Sequence, residues 1–77
     1  MPKLPIVKFR ELSKAVKKAG FVHVRTVGSH FYYRNHKSKI TISIPNHGPK
    51  PLGKGLVKSI LNDAGIKPDD FIKLLKG

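Results

Sequence analysis

Apolar residues recur every three or four positions in three segments of the chain, which is the spacing of one face of an amphipathic helix. The first predicted helix covers residues 8–19 and the second covers residues 56–64. Gly20 and Gly65 follow these helices directly, at the position where a left-handed residue commonly ends a helix. A short third helix is predicted over residues 68–75, because a proline followed by two aspartates suits the first turn of a helix.

Three segments between the first two helices have the pattern of β-strands. Residues 21–27 are rich in β-branched side chains, residues 30–35 in aromatic side chains, and residues 39–44 alternate isoleucine with polar residues. Gly28 and Ser29 supply a turn between the first two strands. Consecutive strands with short turns predict an antiparallel meander. Each predicted helix has one apolar face, so we expect the helices to cover one side of the sheet and to leave the other open.

Alternation along the strands assigns their side chains to the two sides of the predicted sheet. Phe31 and Tyr33 are expected to face the helices, together with the isoleucines of the third strand. In the first strand the same rule predicts that Val22 and Val24 lie in the core. The open side is then expected to carry His23, Arg25, His30, Tyr32 and Arg34. A bulge at the turn before His30 would shift this assignment by one residue.

An open sheet side of this composition has two interpretations. It suits RNA, because arginine binds phosphate, tyrosine stacks on bases and histidine exchanges protons near neutral pH. It is equally the composition of an ordinary solvated sheet surface without a ligand. For His30 the open alternatives are packing, phosphate binding and proton transfer.

The chain has 77 residues, enough for one domain over residues 1–77 with a thin core and no deep cavity. Its 16 Lys and Arg residues against four Asp and Glu give a formal net charge of +12. Such a charge attracts polyanions, and nucleic acid is the partner that we favour. The absence of cysteine excludes disulfides and zinc–thiolate sites. Without a signal peptide or a membrane-spanning segment, the chain is expected to be cytoplasmic and not to interact with membranes.

The acidic side chains are too few for metal-dependent nuclease chemistry, which needs several converging carboxylates. All of them fall in predicted helices: Glu11, Asp63, Asp69 and Asp70. The histidines show no metal-ligand spacing, so we expect neither a metal nor a cofactor. RNA carries its own nucleophile, the 2′-OH, and a protein need only orient it, move protons and neutralise the phosphorane. If the chain is an enzyme, a metal-independent ribonuclease is therefore the class that fits.

Residues 45–55, with the sequence PNHGPKPLGKG, form a basic segment rich in proline and glycine. It is not a Walker motif, because no Gly-Lys-Ser/Thr follows a strand. The segment is either a phosphate-contacting loop or a simple crossover to the second helix. In the first case Lys50, Lys54 and Lys58 would direct their ammonium groups at an anion near the N-terminus of that helix.

Four motifs together resemble the HicA toxin family. They are GSH at residues 28–30, an aromatic residue at Tyr33, a strand ending in IPNH at residues 44–47, and PLGKGLVKSILNDAGI at residues 51–66. The resemblance extends over nearly the whole chain. It implies an α+β fold similar to the double-stranded-RNA-binding domain, α-β-β-β-α, with a three-stranded antiparallel sheet and the helices packed on one face. The short C-terminal helix predicted above comes in addition.

The resemblance also implies a function. HicA proteins are described as mRNA interferases, the toxins of type II toxin–antitoxin systems, and a HicB-type antitoxin binds them over the active face. Their activity depends on the histidine of the GSH element, which is His30 here. His30 is therefore expected to be the general acid or base of an endoribonuclease. The expected RNA contacts are Arg25, Ser29, Tyr32, Arg34, Lys50, Lys54 and Lys58.

His47 is the second candidate for chemistry. It either completes an acid/base pair with His30, contacts a phosphate, or only fixes its loop. Family members commonly have a threonine where Leu56 stands, so Gly55 is expected to be a poorer N-terminal cap of the second helix. The alternative to a toxin ribonuclease is a non-catalytic module that binds double-stranded RNA through its minor groove and phosphates.

Overall fold

The computed structural model of the chain describes residues 4–77, in which helices and strands form an α+β arrangement. The helices are α1 (Phe9–Lys18), α2 (Lys54–Ala64) and α3 (Pro68–Lys76). The strands are β1 (Val7–Lys8), β2 (Val22–Val27), β3 (His30–Asn35), β4 (Ile40–Pro45) and β5 (Pro51–Leu52). An antiparallel sheet contains β2, β3 and β4 in that order. The predicted fold class, similar to the double-stranded-RNA-binding domain, is confirmed.

Two short strands lie outside the predicted pattern. β1 pairs antiparallel with β5, so that Val7 lies opposite Leu52. Both of these side chains are buried. Two residues are too few to carry a periodicity that a sequence pattern can reveal. The pairing ties the segment before α1 to the segment before α2, so part of the predicted basic loop is a strand.

The ends of the two main helices lie at or next to the predicted glycines and caps. The Lys8 backbone N–H donates to Glu11 Oε1 at 3.0 Å, which satisfies one free donor at the start of α1. Gly20 follows α1 with φ of 104°, and Gly65 follows α2 with φ of 75°. Glycine adopts these positive φ values without steric cost. α2 ends at the predicted Ala64, and α1 ends at Lys18, one residue before the predicted end. Within residues 4–77 no helix is both long and apolar enough to cross a bilayer.

α2 begins two residues before the predicted position. Gly53 is its N-cap, with φ of −62° and ψ of 145°, and the Val57 N–H donates to the Gly53 carbonyl oxygen at 3.0 Å. Gly55 lies within the first turn, so the expectation that it caps the helix is wrong. The apolar pattern misses this first turn because Lys54, Gly55 and Leu56 are all exposed.

The turn between β2 and β3 consists of Gly28 and Ser29, because Val27 pairs with His30. Gly28 has φ of 60°, whereas Ser29 has no positive φ. A positive φ at the first turn position alone is the pattern of a type II′ turn, whose twist matches that of the flanking strands. His30 therefore begins β3 directly after a tight chain reversal.

β4 begins one residue later than predicted, because Lys39 belongs to the turn. The side-chain Oδ1 of Asn35 accepts the N–H groups of Lys37 and Ser38 at 2.9 and 3.1 Å. The Lys39 N–H donates to the Asn35 carbonyl oxygen at 2.7 Å, and Lys39 has φ of 62°. This left-handed residue closes the turn, and Ile40 is the first residue with strand geometry.

β2 contains a β-bulge that changes the predicted register. Arg25 pairs with Tyr32, and His23 pairs with Tyr33. These partners are consecutive in β3, so Val24 is one extra residue between the two pairs. An extra residue reverses the side assignment of every strand residue that precedes it.

The side assignments at the start of β2 are therefore corrected. His23 was expected on the open side, but it lies opposite Tyr33, and its ring centroid is 5.6 Å from that of Tyr33 and 5.3 Å from that of Phe31. Val22 and Val24 were expected in the core, but they are 47% and 45% exposed. The prediction considered a bulge only at the Gly28-Ser29 turn, whereas the register shift occurs at Val24.

The core lies between the helices and the side of the sheet that faces them, the inner face. Tyr33, Ile42 and Ile44 are buried there as predicted, and the half-buried Phe31 packs against them. The Tyr33 and Ser13 hydroxyls hydrogen-bond at 2.5 Å, which satisfies both polar groups inside the core. The helices contribute Leu12, Ala15, Val16, Val57, Ile60, Leu61, Ala64 and Phe71.

Candidate functional site

The side of the sheet that points away from the helices, the outer face, carries three cross-strand rows. They are Val27–His30–Pro45, Arg25–Tyr32–Ser43 and Val22–Arg34–Thr41. Because Phe31 and Tyr33 face the core, alternation along β3 directs the residues between and beside them outward. The fold thus brings four of the predicted site residues onto one surface: Arg25, His30, Tyr32 and Arg34.

His30 lies at the end of the outer face next to the β2–β3 turn. Its side chain is exposed, and its cross-strand neighbours are Val27 and Pro45. Val27 is 57% exposed, so the row forms part of an open surface and not of a cavity. An imidazole in this position is accessible to a large ligand and can exchange protons with it.

A backbone hydrogen bond joins the turn before His30 to the loop after β4. The Asn46 N–H donates to the Ser29 carbonyl oxygen at 2.7 Å. The Asn46 side-chain oxygen accepts the N–H of Gly48 at 2.8 Å, which fixes the first turn of the loop. His47 is exposed and lies between these two anchored residues. Its backbone is therefore held beside the turn that presents His30.

Arg25 and Tyr32 form a stacked pair in the middle row. The Arg25 Cζ atom lies 4.5 Å from the centroid of the Tyr32 ring, within the range of a cation–π interaction. One side of the ring is thus covered by the guanidinium. Guanidinium planes stack on unpaired bases as aromatic rings do. The pair therefore presents one composite surface to a nucleic acid and not two separate contacts.

Arg34 occupies the third row and is held by its neighbour on β4. Its Nη1 donates to Thr41 Oγ1 at 2.8 Å. A guanidinium has five N–H donors, so this single bond leaves others available for phosphate oxygens. The first row thus supplies a proton-transfer group, and the next two rows supply positive charge.

The predicted lysines do not all join the outer face. Lys50 stays in the loop after β4, where its N–H donates to the His47 carbonyl oxygen at 3.3 Å. Lys54 and Lys58 are exposed on α2, whose buried side packs against the inner face. Lys58 also lines a groove of about 640 Å³ between α2 and the segment leading into α3, and no residue of β2–β4 lines that groove. The structure therefore separates the α2 lysines from the outer face.

The acidic residues lie on the helices, as predicted from the sequence. They are Glu11 on α1, Asp63 on α2, and Asp69 and Asp70 on α3. Within the described part of the chain, no three His, Cys, Asp or Glu side chains are grouped to hold a metal ion. The rows of the outer face contain two arginines and no carboxylate, so an anionic ligand meets no like charge there.

Comparison with known protein families shows to which family this chain belongs. The sequence profile of the family described as "HicA toxin of bacterial toxin-antitoxin" matches residues 9–66, well over half of the chain. The chain belongs to the HicA toxin family. A curated relative, "Probable mRNA interferase HicA" of Pseudomonas fluorescens (strain Pf0-1), is 37% identical over 62 residues. These cover 79% of this chain and 98% of that relative, and the predicted resemblance is confirmed.

The region that matches HicA includes the whole outer face, and it contains two features that the sequence does not reveal. One is the bulge at Val24, since the run VHVRTV is equally compatible with a regular strand. The other is the stacking of Arg25 on Tyr32. A cross-strand contact depends on register, and a single strand sequence carries no register information across a bulge.

Proposed function

We propose that this HicA chain is the toxin of a type II toxin–antitoxin system and an endoribonuclease that cleaves mRNA, with His30 as a general acid or base. The position of His30 carries the proposal, because it is exposed in the first row of the outer face beside the stacked Arg25 and Tyr32. The family membership supports the role of a toxin, and the name of the relative from Pseudomonas fluorescens supports mRNA as the substrate. Bacterial mRNA lies in the cytoplasm, so we propose that the chain acts there.

The proposed reaction uses the 2′-OH of RNA as the nucleophile. The 2′-oxygen forms a bond to the adjacent phosphorus while the bond from phosphorus to the 5′-oxygen breaks. The products are a 2′,3′-cyclic phosphate end and a 5′-OH end. One group must accept the 2′-OH proton, and one must donate a proton to the leaving 5′-oxygen. His30 performs one of these two transfers.

The arginines of the outer face bind phosphates of the RNA that neighbour the reacting bond. Arg25 and Arg34 occupy the two rows after His30 along β3. Successive outward residues of a strand are about 7 Å apart, so an RNA strand lying along β3 passes His30, Tyr32 and Arg34 in turn. We propose that Ser29 and Lys50, in the turn and the loop beside the first row, also contact the RNA. Lys54 and Lys58 on α2 would contact it only where the RNA continues past the sheet.

His47 has three proposed roles that variants separate. If His47 transfers the second proton, both His47→Ala and His47→Gln lose RNA cleavage. If it hydrogen-bonds to a phosphate, His47→Gln retains more activity than His47→Ala. If it only fixes the loop, both variants cleave RNA, because the loop is already held by the Asn46 N–H bond to Ser29.

The decisive experiment compares induced expression of wild type, His30→Ala and His36→Ala, with growth and mRNA integrity as readouts. His36 is also an exposed histidine, but it lies in the β3–β4 turn at the far end of β3. We expect growth arrest and mRNA loss with wild type and His36→Ala, and neither with His30→Ala. Purified wild type should cleave RNA in the presence of EDTA and leave 2′,3′-cyclic phosphate ends.

Other outcomes point to the alternative function. If folded wild type binds duplex RNA tightly, never cuts RNA and is harmless in cells, the chain is a non-catalytic RNA-binding module. Cleavage that EDTA abolishes and magnesium restores would refute the metal-independent mechanism while leaving a ribonuclease.

We also propose that a HicB-type antitoxin covers the outer face. Val22, Val24 and Val27 are 47%, 45% and 57% exposed along β2, beside the positive groups. RNA offers little apolar surface to bury such side chains, whereas the centre of a protein interface does. In a complex with a HicB-type antitoxin, a histidine-modifying reagent should label His36 but not His30. Equal labelling of both histidines would contradict this arrangement.

A further inference from the structure

The two sides of β2 are linked at its bulge. On the outer face, the first residue after the bulge is Arg25, which pairs with Tyr32. On the inner face, the bulge lies between His23 and Thr26, which pair with Tyr33 and Phe31. Bulges bend and twist a strand and thereby redirect the side chains beside them. The shape of the bulge therefore decides where the Arg25 side chain points.

A side-chain hydrogen bond spans the bulge on the inner face. His23 Nε2 and Thr26 Oγ1 are 2.7 Å apart. In a regular strand, residues three positions apart point to opposite sides of the sheet and cannot meet in this way. The extra residue Val24 brings both onto the same side. The bulge therefore makes this hydrogen bond possible, and the bond links the two residues that flank the bulge on the inner face.

The His23 ring is anchored independently of this bond. Its centroid lies 5.3 Å from that of Phe31 and 5.6 Å from that of Tyr33, at tilted angles of 37° and 57°. Phe31 is in turn 4.8 Å from Phe9 of α1. These contacts hold the imidazole, which remains exposed, against the Phe31 and Tyr33 rings. Its Nε2 therefore offers Thr26 a partner with a defined position.

Arg25 needs such support because its side chain is long and has many rotamers. Its Cζ atom is nevertheless 4.5 Å from the Tyr32 ring centroid, over the face of the ring. Tyr32 is half-buried and belongs to the central strand β3. The stack therefore depends on where β2 directs the first atoms of Arg25, since its partner is already in place.

We infer that His23 and Thr26 are positioning residues for the nucleic-acid surface. Their hydrogen bond on the inner face holds the bulge in the shape that aims Arg25 over Tyr32, next to His30 on the outer face. Neither residue needs to touch RNA. The consequence for RNA binding rests on the proposed function, whereas the aiming of Arg25 is a property of the chain alone.

The first test determines, without RNA, whether the Arg25 side chain lies over the Tyr32 ring. It uses the NMR chemical shifts of the Arg25 side-chain protons. The Tyr32 ring current should move the Arg25 δ-protons upfield in wild type, and Tyr32→Leu defines the shift without a ring. Thr26→Val keeps the β-branched shape but removes the hydroxyl, and we expect its shift to move toward the Tyr32→Leu value. Thr26→Ser restores the hydroxyl and should restore the shift. An unchanged shift in Thr26→Val overturns the inference.

The second test follows cleavage of an in vitro transcribed mRNA. Thr26→Val should raise KM about threefold, the usual scale for one exposed hydrogen bond, and change kcat little, because it weakens binding alone. In an Arg25→Ala background the same substitution should have no further effect, since the His23–Thr26 hydrogen bond acts through Arg25. An equal loss in both backgrounds would show a general structural role and overturn the inference.

A second substitution guards against a trivial loss of folding. His23→Phe keeps an aromatic ring against Phe31 and Tyr33 but removes Nε2, and thermal unfolding verifies that each variant is folded. It should reproduce the shift and the KM change of Thr26→Val. If wild type neither binds nor cleaves RNA, the proposed function fails, while the NMR comparison still decides whether the bond aims Arg25.

Discussion

The inner and outer faces of the three-stranded sheet come from the same strands but obey different physical constraints. On the inner face the cross-strand partners Tyr33 and Ile42 are buried, and the polar atoms there are satisfied within the fold. On the outer face, Arg25 and Arg34 sit in successive rows with their charges in reach of solvent. The inner face therefore determines stability, and the outer face is free to carry charge and chemistry.

Whether a residue of these strands contributes to stability or to function therefore depends on which face of the sheet its side chain points to. Neighbouring residues of β3 and β4 alternate between the two faces, so each inner residue has an outer residue beside it as a matched control. Substitutions on the inner face should lower the free energy of unfolding and leave the activity of each folded molecule intact. Substitutions on the outer face should lower the activity and leave the free energy of unfolding unchanged.

The largest expected effect on the inner face comes from Ile44→Ala. Ile44 is 0% exposed, and truncating a buried isoleucine should lower the free energy of unfolding by about 2–5 kcal/mol, because transfer and cavity terms add. The adjacent Ser43 belongs to the outer face, and Ser43→Ala should change stability by less than about 0.5 kcal/mol. Urea unfolding of both variants measures the contrast, and equal losses would break the proposed division of the faces.

A smaller effect is expected when one hydroxyl is removed from the inner face. Tyr33→Phe deletes the partner of the Ser13 hydroxyl, which is buried at 6% exposure. An unsatisfied buried hydroxyl should cost roughly 1–3 kcal/mol. Tyr32→Phe makes the same chemical change on the outer face and should leave the unfolding midpoint unchanged. A variant Tyr33→Phe as stable as wild type would mean that Ser13 finds another partner.

How far the sequence predicts this molecule differs between its strands. β3 and β4 alternate without interruption between the Gly28-Ser29 turn and Pro45, the last residue of β4, so their faces were predicted correctly. β2 has valines, a histidine and an arginine that fit either register, and the bulge at Val24 reverses the positions before it. Local pattern cannot detect a bulge, because a bulge is defined by how the strand pairs with its neighbour.

Within the candidate site, too, the sequence predicts the direction of a side chain only where the strand alternates regularly. His30 follows a Gly-Ser turn, and its outward direction depends only on the regular alternation of β3. The Arg25–Tyr32 stack and the bond from Asn46 to Ser29 join residues from different strands and loops. Such contacts depend on how the elements meet in space, which composition and periodicity do not specify.

On the outer face, Arg25→Ala should have the next largest effect. Removing a stacked guanidinium should weaken binding of single-stranded RNA about tenfold, within the range for one base-stacking contact, without changing the unfolding midpoint. Arg25→Lys keeps the charge but not the planar group, so it should recover only part of the loss. Titration of a labelled RNA oligonucleotide at fixed salt measures both. Full recovery by lysine would show that charge alone matters at this position.

The smallest expected effect is that of Thr41→Val. Thr41 accepts a hydrogen bond from Arg34 Nη1 at 2.8 Å in the third row, and valine preserves the shape and the strand propensity of threonine. Losing an exposed bond of this kind leaves Arg34 charged but less fixed, so RNA affinity should fall by no more than about threefold. Arg34→Ala, measured in the same titration, should lose clearly more because the charge itself is removed. If the two variants lost equal affinity, Thr41 would have to contact RNA directly, and the third row would carry two contacts where the fold predicts one.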